Sequence, residues 1–163
     1  MNYRHAFHAG NFADVVKHVT VCALLEHLGR KAKPWCYVET HAGRGRYALD
    51  GPEARRTGEW RDGIGRLAGA TDLPPVVVRY LAQVRALAGN ERRIRVYPGS
   101  PLLASAAMRP GDRALLAELQ PDEATALRAE FRGEPRVAVH HMDGWQALKA
   151  LLPPTPRRGL VLI

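Results

Sequence analysis

From about residue 94 onward the chain repeats one rhythm: a short apolar run, a turn, then a helix start. Ile94 to Tyr97 leads into Pro98-Gly99-Ser100-Pro101 and a helical stretch from Leu102 to Met108. Ala114 to Leu119 leads into Pro121-Asp122-Glu123, a helix start with acids in its first turn, and that helix extends to about Arg132. Arg136 to His140 leads into Asp143-Gly144, which opens a helix through Leu151, and Gly159 to Ile163 reads as a further strand. This alternation constrains the fold more than any other feature. Strands separated by helices pair in parallel, with the helices laid on the faces of the sheet.

The first half of the chain is less regular. Asn11 is a helix N-cap with Asp14 three residues later, and Val15, Val16, Val19, Ala23, Leu24 and Leu28 then recur near helical spacing, which predicts a helix over 12–28. Trp35 to Glu39 is a short aromatic and β-branched run, hence a strand, and Thr40 to Tyr47 is a glycine-bearing loop directly after it. Residues 50–95 show no strand alternation and carry two helical patterns, near 53–68 and 75–88, the second started by Pro74 and Pro75. The expected organisation is therefore a helix, first strand and ligand loop over 1–49, a helical insertion over 50–95, and a continuation of the α/β domain over 96–163.

Composition narrows the class. Hydrophobic residues make up 46% of the 163, too many for a disordered chain. No window approaches the ~18 apolar residues that a membrane span requires, and the N-terminus has no apolar signal segment, so a cytoplasmic protein is expected. Cys22 and Cys36 do not make a disulfide framework. The formal charge is +8, and of 24 basic residues 20 are arginine. The arginine fork grips phosphate and stacks on bases, so an excess of this kind marks a nucleic-acid binder. A genome rich in arginine codons gives the same count with the side chains merely solvated. The chain stops at Gly159-Leu160-Val161-Leu162-Ile163, an apolar run without a polar tail, and this reads as part of a longer protein with an incomplete sheet.

In an open parallel sheet ligands bind beyond the C-terminal strand ends. One such end gives Glu39-Thr40-His41-Ala42-Gly43-Arg44-Gly45, whose glycines let backbone approach a ligand. A second gives Glu118, an acid ending an apolar strand, suited to the hydroxyls of a ribose. A third gives Asp143-Gly144, an acceptor for an adenine amino group with glycine leaving room for the ring. Each has a plain structural alternative: Asp143 as a helix N-cap, Glu118 paired with an arginine, the glycines as turn residues. Together, glycine loop, acid and acid at successive strand ends fit an adenosine cofactor, either nicotinamide-linked or S-adenosylmethionine. His140 and His141 are neighbours on a strand and point to opposite faces, and no ligand spacing supports a metal.

The stretch Tyr3-Arg4-His5-Ala6-Phe7-His8-Ala9-Gly10-Asn11-Phe12-Ala13-Asp14-Val15-Val16-Lys17-His18 closely resembles the N-terminus of the bacterial 23S ribosomal RNA adenine-N6 methyltransferase family. The resemblance continues through Thr40 to Tyr47, Tyr97 to Pro101, Glu118 to Pro121, Asp143-Gly144 and Arg157 to Ile163. It implies a class I, Rossmann-like methyltransferase fold that uses S-adenosyl-L-methionine, with a helical insertion after the first strand. By matching positions it implies that His18, His41, Ser100, Glu118, Asp143 and Gly144 contact the cofactor and that Tyr3 faces the RNA substrate. Arg44 stands where the pattern has a small residue. The implied partner is 23S rRNA, met before ribosome assembly is complete, and the implied protein is a monomer without metal or membrane. The family carries its chemistry on Asp-Pro-Pro-Tyr, whose Asp would follow Ile163, so no catalytic residue is expected in these 163 and the chain alone is expected to be inactive. The alternatives are a DNA adenine-N6 methyltransferase and a noncatalytic, truncated RNA- or cofactor-binding product.

Overall fold

The alternating rhythm of the second half folds as a parallel sheet. The computed structural model describes residues 4–163. In chain order its regular elements are α1 (Phe12–Gly29), β1 (Cys36–Glu39), β2 (Arg46–Ala48), α2 (Pro52–Thr57), α3 (Ile64–Ala68), α4 (Pro75–Arg85) and β3 (Val96–Pro98). They continue as α5 (Ser100–Ala107), β4 (Arg113–Glu118), α6 (Pro121–Glu130), β5 (Val137–His141), α7 (Gly144–Leu151) and β6 (Gly159–Leu162). The chain divides into two units. A sheet unit comprises Leu24–Gly45 and Ser100–Ile163, and a helical unit comprises the residues up to Ala23 and Arg46–Gly99.

In the sheet unit four strands lie in the order β5-β4-β1-β6, all parallel. Cys36 stands opposite Arg113 and Gly159, Glu39 opposite Leu116 and Leu162, and Glu118 opposite His141. All four residues of β1 are buried, as a central strand covered on both faces must be. The chain leaves β1 for β4 and β5 on one side, then returns to lay β6 on the other. The strand order therefore reverses at β1, which is where an open α/β sheet leaves a crevice for a ligand. A parallel sheet with helices between its strands is the mixed α/β architecture that the alternation predicts.

The predicted N-cap of α1 is present: the Asp14 N–H donates to Asn11 Oδ1 at 2.9 Å. The Asp14 side chain accepts instead from the Gly10 N–H at 3.0 Å, one residue before the position a capping box would use.

In the helical unit two expectations change. The loop read over Thr40 to Tyr47 ends in a strand, because β2 pairs antiparallel with β3 through Arg46 opposite Pro98 and Tyr47 opposite Tyr97. Three residues are too few to show alternation, and the partner that makes them a strand lies some fifty positions away in sequence. The helix read over 53–68 is two short helices with a 3-10 turn, Glu59–Arg61, between them. Gly58 takes a left-handed conformation at the end of α2, which terminates that helix. Ile64, Tyr80, Leu81, Val84 and Tyr97 form the buried interior of this unit.

Candidate functional site

The C-terminal edge of the sheet is knitted together by backbone bonds from the loop after β1. The Thr40 N–H donates to the Leu162 carbonyl at 3.1 Å, and the Ala42 N–H to the Ala117 carbonyl at 3.0 Å. The Gly43 N–H then reaches a side chain, Glu118 Oε2, at 2.8 Å. Gly43 and Gly45 both have positive φ, 63° and 83°, so the loop takes a path that L side chains resist.

Glu118 is the last residue of β4 and is buried. Its second oxygen accepts the Gln120 N–H at 2.8 Å. No arginine pairs with it among the described residues, so the ion-pair alternative does not hold. A carboxylate oxygen accepts two hydrogen bonds. Each oxygen of Glu118 uses one acceptor position on the protein and keeps another, an arrangement that fits two vicinal hydroxyls.

Asp143 is the N-cap of α7, and its Oδ1 accepts the N–H groups of both Trp145 and Gln146 at 3.0 Å. Both cap bonds fall on one oxygen, leaving the other for a ligand. Gly144 packs closely on the loop after β1. A Cβ there would lie 2.7 Å from the Thr40 carbonyl oxygen and 3.0 Å from His41 Cε1. The missing side chain thus makes way for the loop after β1.

His41 is exposed, and its Nδ1 hydrogen-bonds to Thr40 Oγ1 at 2.8 Å, leaving Nε2 to other partners. Ser100, the first residue of α5, is buried and donates its hydroxyl to Glu39 Oε1 at 2.5 Å. His41, Ser100, Glu118, Asp143 and Gly144 therefore all belong to the sheet unit, at or beside the strand ends. His18 belongs to the helical unit. There it is fully buried, with Nδ1 2.9 Å from Tyr97 Oη and Nε2 without a hydrogen-bond partner. Burial lowers its pKa to about 3, against the attraction of Asp14, so the ring is neutral at pH 7. Tyr3 lies outside the described residues.

Two residues gain a role that the sequence reading left unassigned. Glu39, buried at the end of β1, accepts the Tyr37 hydroxyl at 2.9 Å as well as that of Ser100. Its signal was the one that marked Glu118: an acid closing an apolar strand. Arg44, the departure in the glycine loop, turns onto the first turn of α6, where its guanidinium pairs with Glu123. The loop accommodates a large residue because that side chain leads away to an acid. The adjacent histidines separate as expected: His141 Nε2 bonds to the Leu119 carbonyl at 2.9 Å, and His140 Nε2 is buried without a partner.

Comparison with known proteins gives concordant results. A family model described as "Ribosomal RNA large subunit methyltransferase D, RlmJ" matches residues 32–163. The chain is 47% identical over all its 163 residues to ribosomal RNA large subunit methyltransferase J of Haemophilus influenzae, and 46% identical to the protein of the same name in Escherichia coli K12. It spans 58% of the length of each. A crystal structure of a Legionella pneumophila protein, assigned to the domain family DUF519, is 40% identical with a TM-score of 0.84. That similarity covers 94% of this chain and 56% of the other.

Proposed function

We propose, from the premise that this chain belongs to the ribosomal RNA large subunit methyltransferase family RlmJ, that it forms the donor-binding part of an enzyme methylating N6 of an adenine in 23S rRNA. The observation that supports this most directly is Glu118. It is a buried carboxylate at the strand end beside the reversal point, bonded to the glycine loop, without a cation and with acceptor positions to spare.

The described residues fit S-adenosyl-L-methionine. When bound, it supplies an electrophilic methyl group on a sulfonium centre. Glu118 would hold the ribose hydroxyls, and it holds the glycine loop in place at the same time. Asp143 would hold the adenine amino group through the oxygen that does not cap α7. His41 would offer Nε2 and Ser100 its hydroxyl at the same strand ends, and the resemblance assigns His18, a neutral imidazole in the helical unit, to the cofactor as well. Tyr3 faces the RNA. Glu39 positions Ser100 by accepting its hydrogen.

An exocyclic adenine amino group is a poor nucleophile, so such an enzyme must hold it in line with the methyl group and take up its proton. The base is extruded from its stack for this. We assign that task to the family's Asp-Pro-Pro-Tyr, which the 163 residues do not contain.

The test is methyl transfer by the full-length protein to protein-free 23S rRNA and to duplex DNA. Incorporation at adenine N6 of the RNA is the expected result, and incorporation into DNA alone overturns the reading. Glu118→Ala is expected to weaken S-adenosylmethionine binding about 100-fold by calorimetry, since each charge-assisted hydrogen bond contributes roughly 1.5–3 kcal/mol. Unchanged binding in that variant removes the basis of the assignment.

A further inference from the structure

The helical unit contains a cleft of about 550 Å³ that the donor site does not use. Ala68 and Gly69, at the end of α3, form one wall, and Arg85, Arg92, Arg93 and Ile94 line the remainder. All three arginines are exposed. Arg85 donates to the Ala68 carbonyl at 2.9 Å, which ties the end of α4 to the end of α3. Arg92 and Arg93 make no hydrogen bond or ion pair among the described residues. The cleft's acid is Glu91, whose Oε1 turns back to accept the Gly89 N–H at 2.9 Å.

The turn that carries these arginines is built, not loose. Asn90 is buried and its side chain makes four hydrogen bonds. Its Nδ2 donates to the carbonyls of Val84 and Val96, both at 2.8 Å, and its Oδ1 accepts the N–H groups of Arg95 and Val96 at 2.8 and 2.9 Å. An amide side chain has two donors and one oxygen with two lone pairs, so every bond Asn90 can make is made. The clasp fixes residues 90–96 between α4 and β3 and holds Arg92 and Arg93 at the cleft without neutralising them.

We propose that this cleft is a contact site for the sugar–phosphate backbone of the RNA substrate, with Arg92 and Arg93 binding phosphate and Arg85 setting the wall. This rests on the reading of the protein as an RNA-modifying enzyme and adds a place on the protein that grips RNA through its backbone. Guanidinium forks match phosphate oxygens bidentately, and unpaired forks on a pre-formed turn lose little freedom on binding. Half-buried Ile94 offers apolar surface beside them, suited to a ribose. Such contacts position a nucleic acid without reading its sequence.

The test uses full-length protein, a short labelled single-stranded RNA, and a salt series from 50 to 200 mM. Each lost phosphate contact reduces the slope of log affinity against log salt by about 0.7. Arg92→Ala with Arg93→Ala is expected to flatten the slope by about 1.4 and weaken binding at least about 10-fold, with S-adenosylmethionine titration unchanged. Arg92→Lys with Arg93→Lys keeps both charges and is expected to retain the slope. An unchanged slope in the alanine pair overturns the proposal, as does a parallel loss of S-adenosylmethionine binding, which marks a structural role. Polyglutamate bound as tightly as RNA, and lost in the same variant, assigns the cleft to acidic polypeptides and overturns it too. A wild-type protein that binds no RNA at all refutes the RNA reading beneath it, a result distinct from loss in the variant alone.

Discussion

The two units carry the same number of cationic side chains, 12 each, and use them differently. In the sheet unit four arginines are turned onto the protein itself. Arg44 pairs with Glu123, and Arg136 with Glu134. Arg109 pairs with Asp112 and also donates to the carbonyls of Gly29 and Lys31. Arg158 donates to the carbonyls of Leu28 and Lys33. In the helical unit Arg92 and Arg93 have no such partners, and Arg61 lies over the ring of Trp60, 5.4 Å from its centroid. A net charge of +8 is therefore not a uniform coat. In the sheet unit four guanidinium groups are mortar for loops around the sheet, and in the helical unit Arg92 and Arg93 stand at a cleft, available to a polyanion.

The sharpest way to break this contrast is Asn90→Ala. The substitution leaves two carbonyls and two N–H groups near the cleft without their partner. An unsatisfied buried group costs roughly 1–3 kcal/mol, and partial access to water reduces the total, so a loss of about 2–3 kcal/mol is expected. Denaturant melts measure the loss, and hydrogen exchange should localise it to residues 84–96. Unaltered protection there would mean that the turn is not held by Asn90 and that its arginines are not pre-positioned.

A second test addresses the buried polar chain of the helical unit, in which Tyr80 and Tyr97 share a hydrogen bond of 2.8 Å and Tyr97 meets His18. Burial lowers the His18 pKa to about 3 from an ordinary value of 6.5. For Asp14 burial acts upward. The hydrogen bond from His5 and the charges of His18, His5 and Lys17 outweigh it and hold the carboxyl well below the usual range. Between about pH 6.5 and 3 the unfolded chain takes up a proton on His18 that the folded chain refuses. Stability is therefore complete above pH 6.5 and falls as the pH drops through that window, by at most about 1.4 kcal/mol per pH unit. His18→Gln is expected to flatten urea-melt stability between pH 7 and 4, and an equal slope in that variant would show that another group carries it.

The smallest effect is expected in the sheet unit. Arg44→Ala breaks a half-exposed ion pair, so the loss should stay below about 1 kcal/mol. S-adenosylmethionine affinity should also remain close to wild type, because the loop is held by Gly43 and Ala42 rather than by Arg44. A loss beyond that range would mean that the pair with Glu123 shapes the donor site.

Much of the secondary structure, and the acids at the strand ends, were legible in the residues. The N-cap at Asn11, the strand–turn–helix succession after residue 94, and Glu118 and Asp143 at successive strand ends all depend on groups within a few positions of one another. Short-range patterns of this kind survive in a linear reading. The 53–68 pattern misled because helical spacing persisted across glycines that stop the helix. The close approach of Thr40 and His41 to Gly144 was not legible, because they belong to a different strand end.

What the sequence by itself determined is the alternation, the sheet it implies, and the acids at its edge. Only the tertiary structure decided that Glu118 clasps the Gly43 loop 75 positions away, that Arg46 to Ala48 become a strand by pairing with Val96 to Pro98, and which arginines face inward. Those outcomes are choices between partners distant along the chain. Residue type says what a side chain can bond to, and only folding brings one partner within reach.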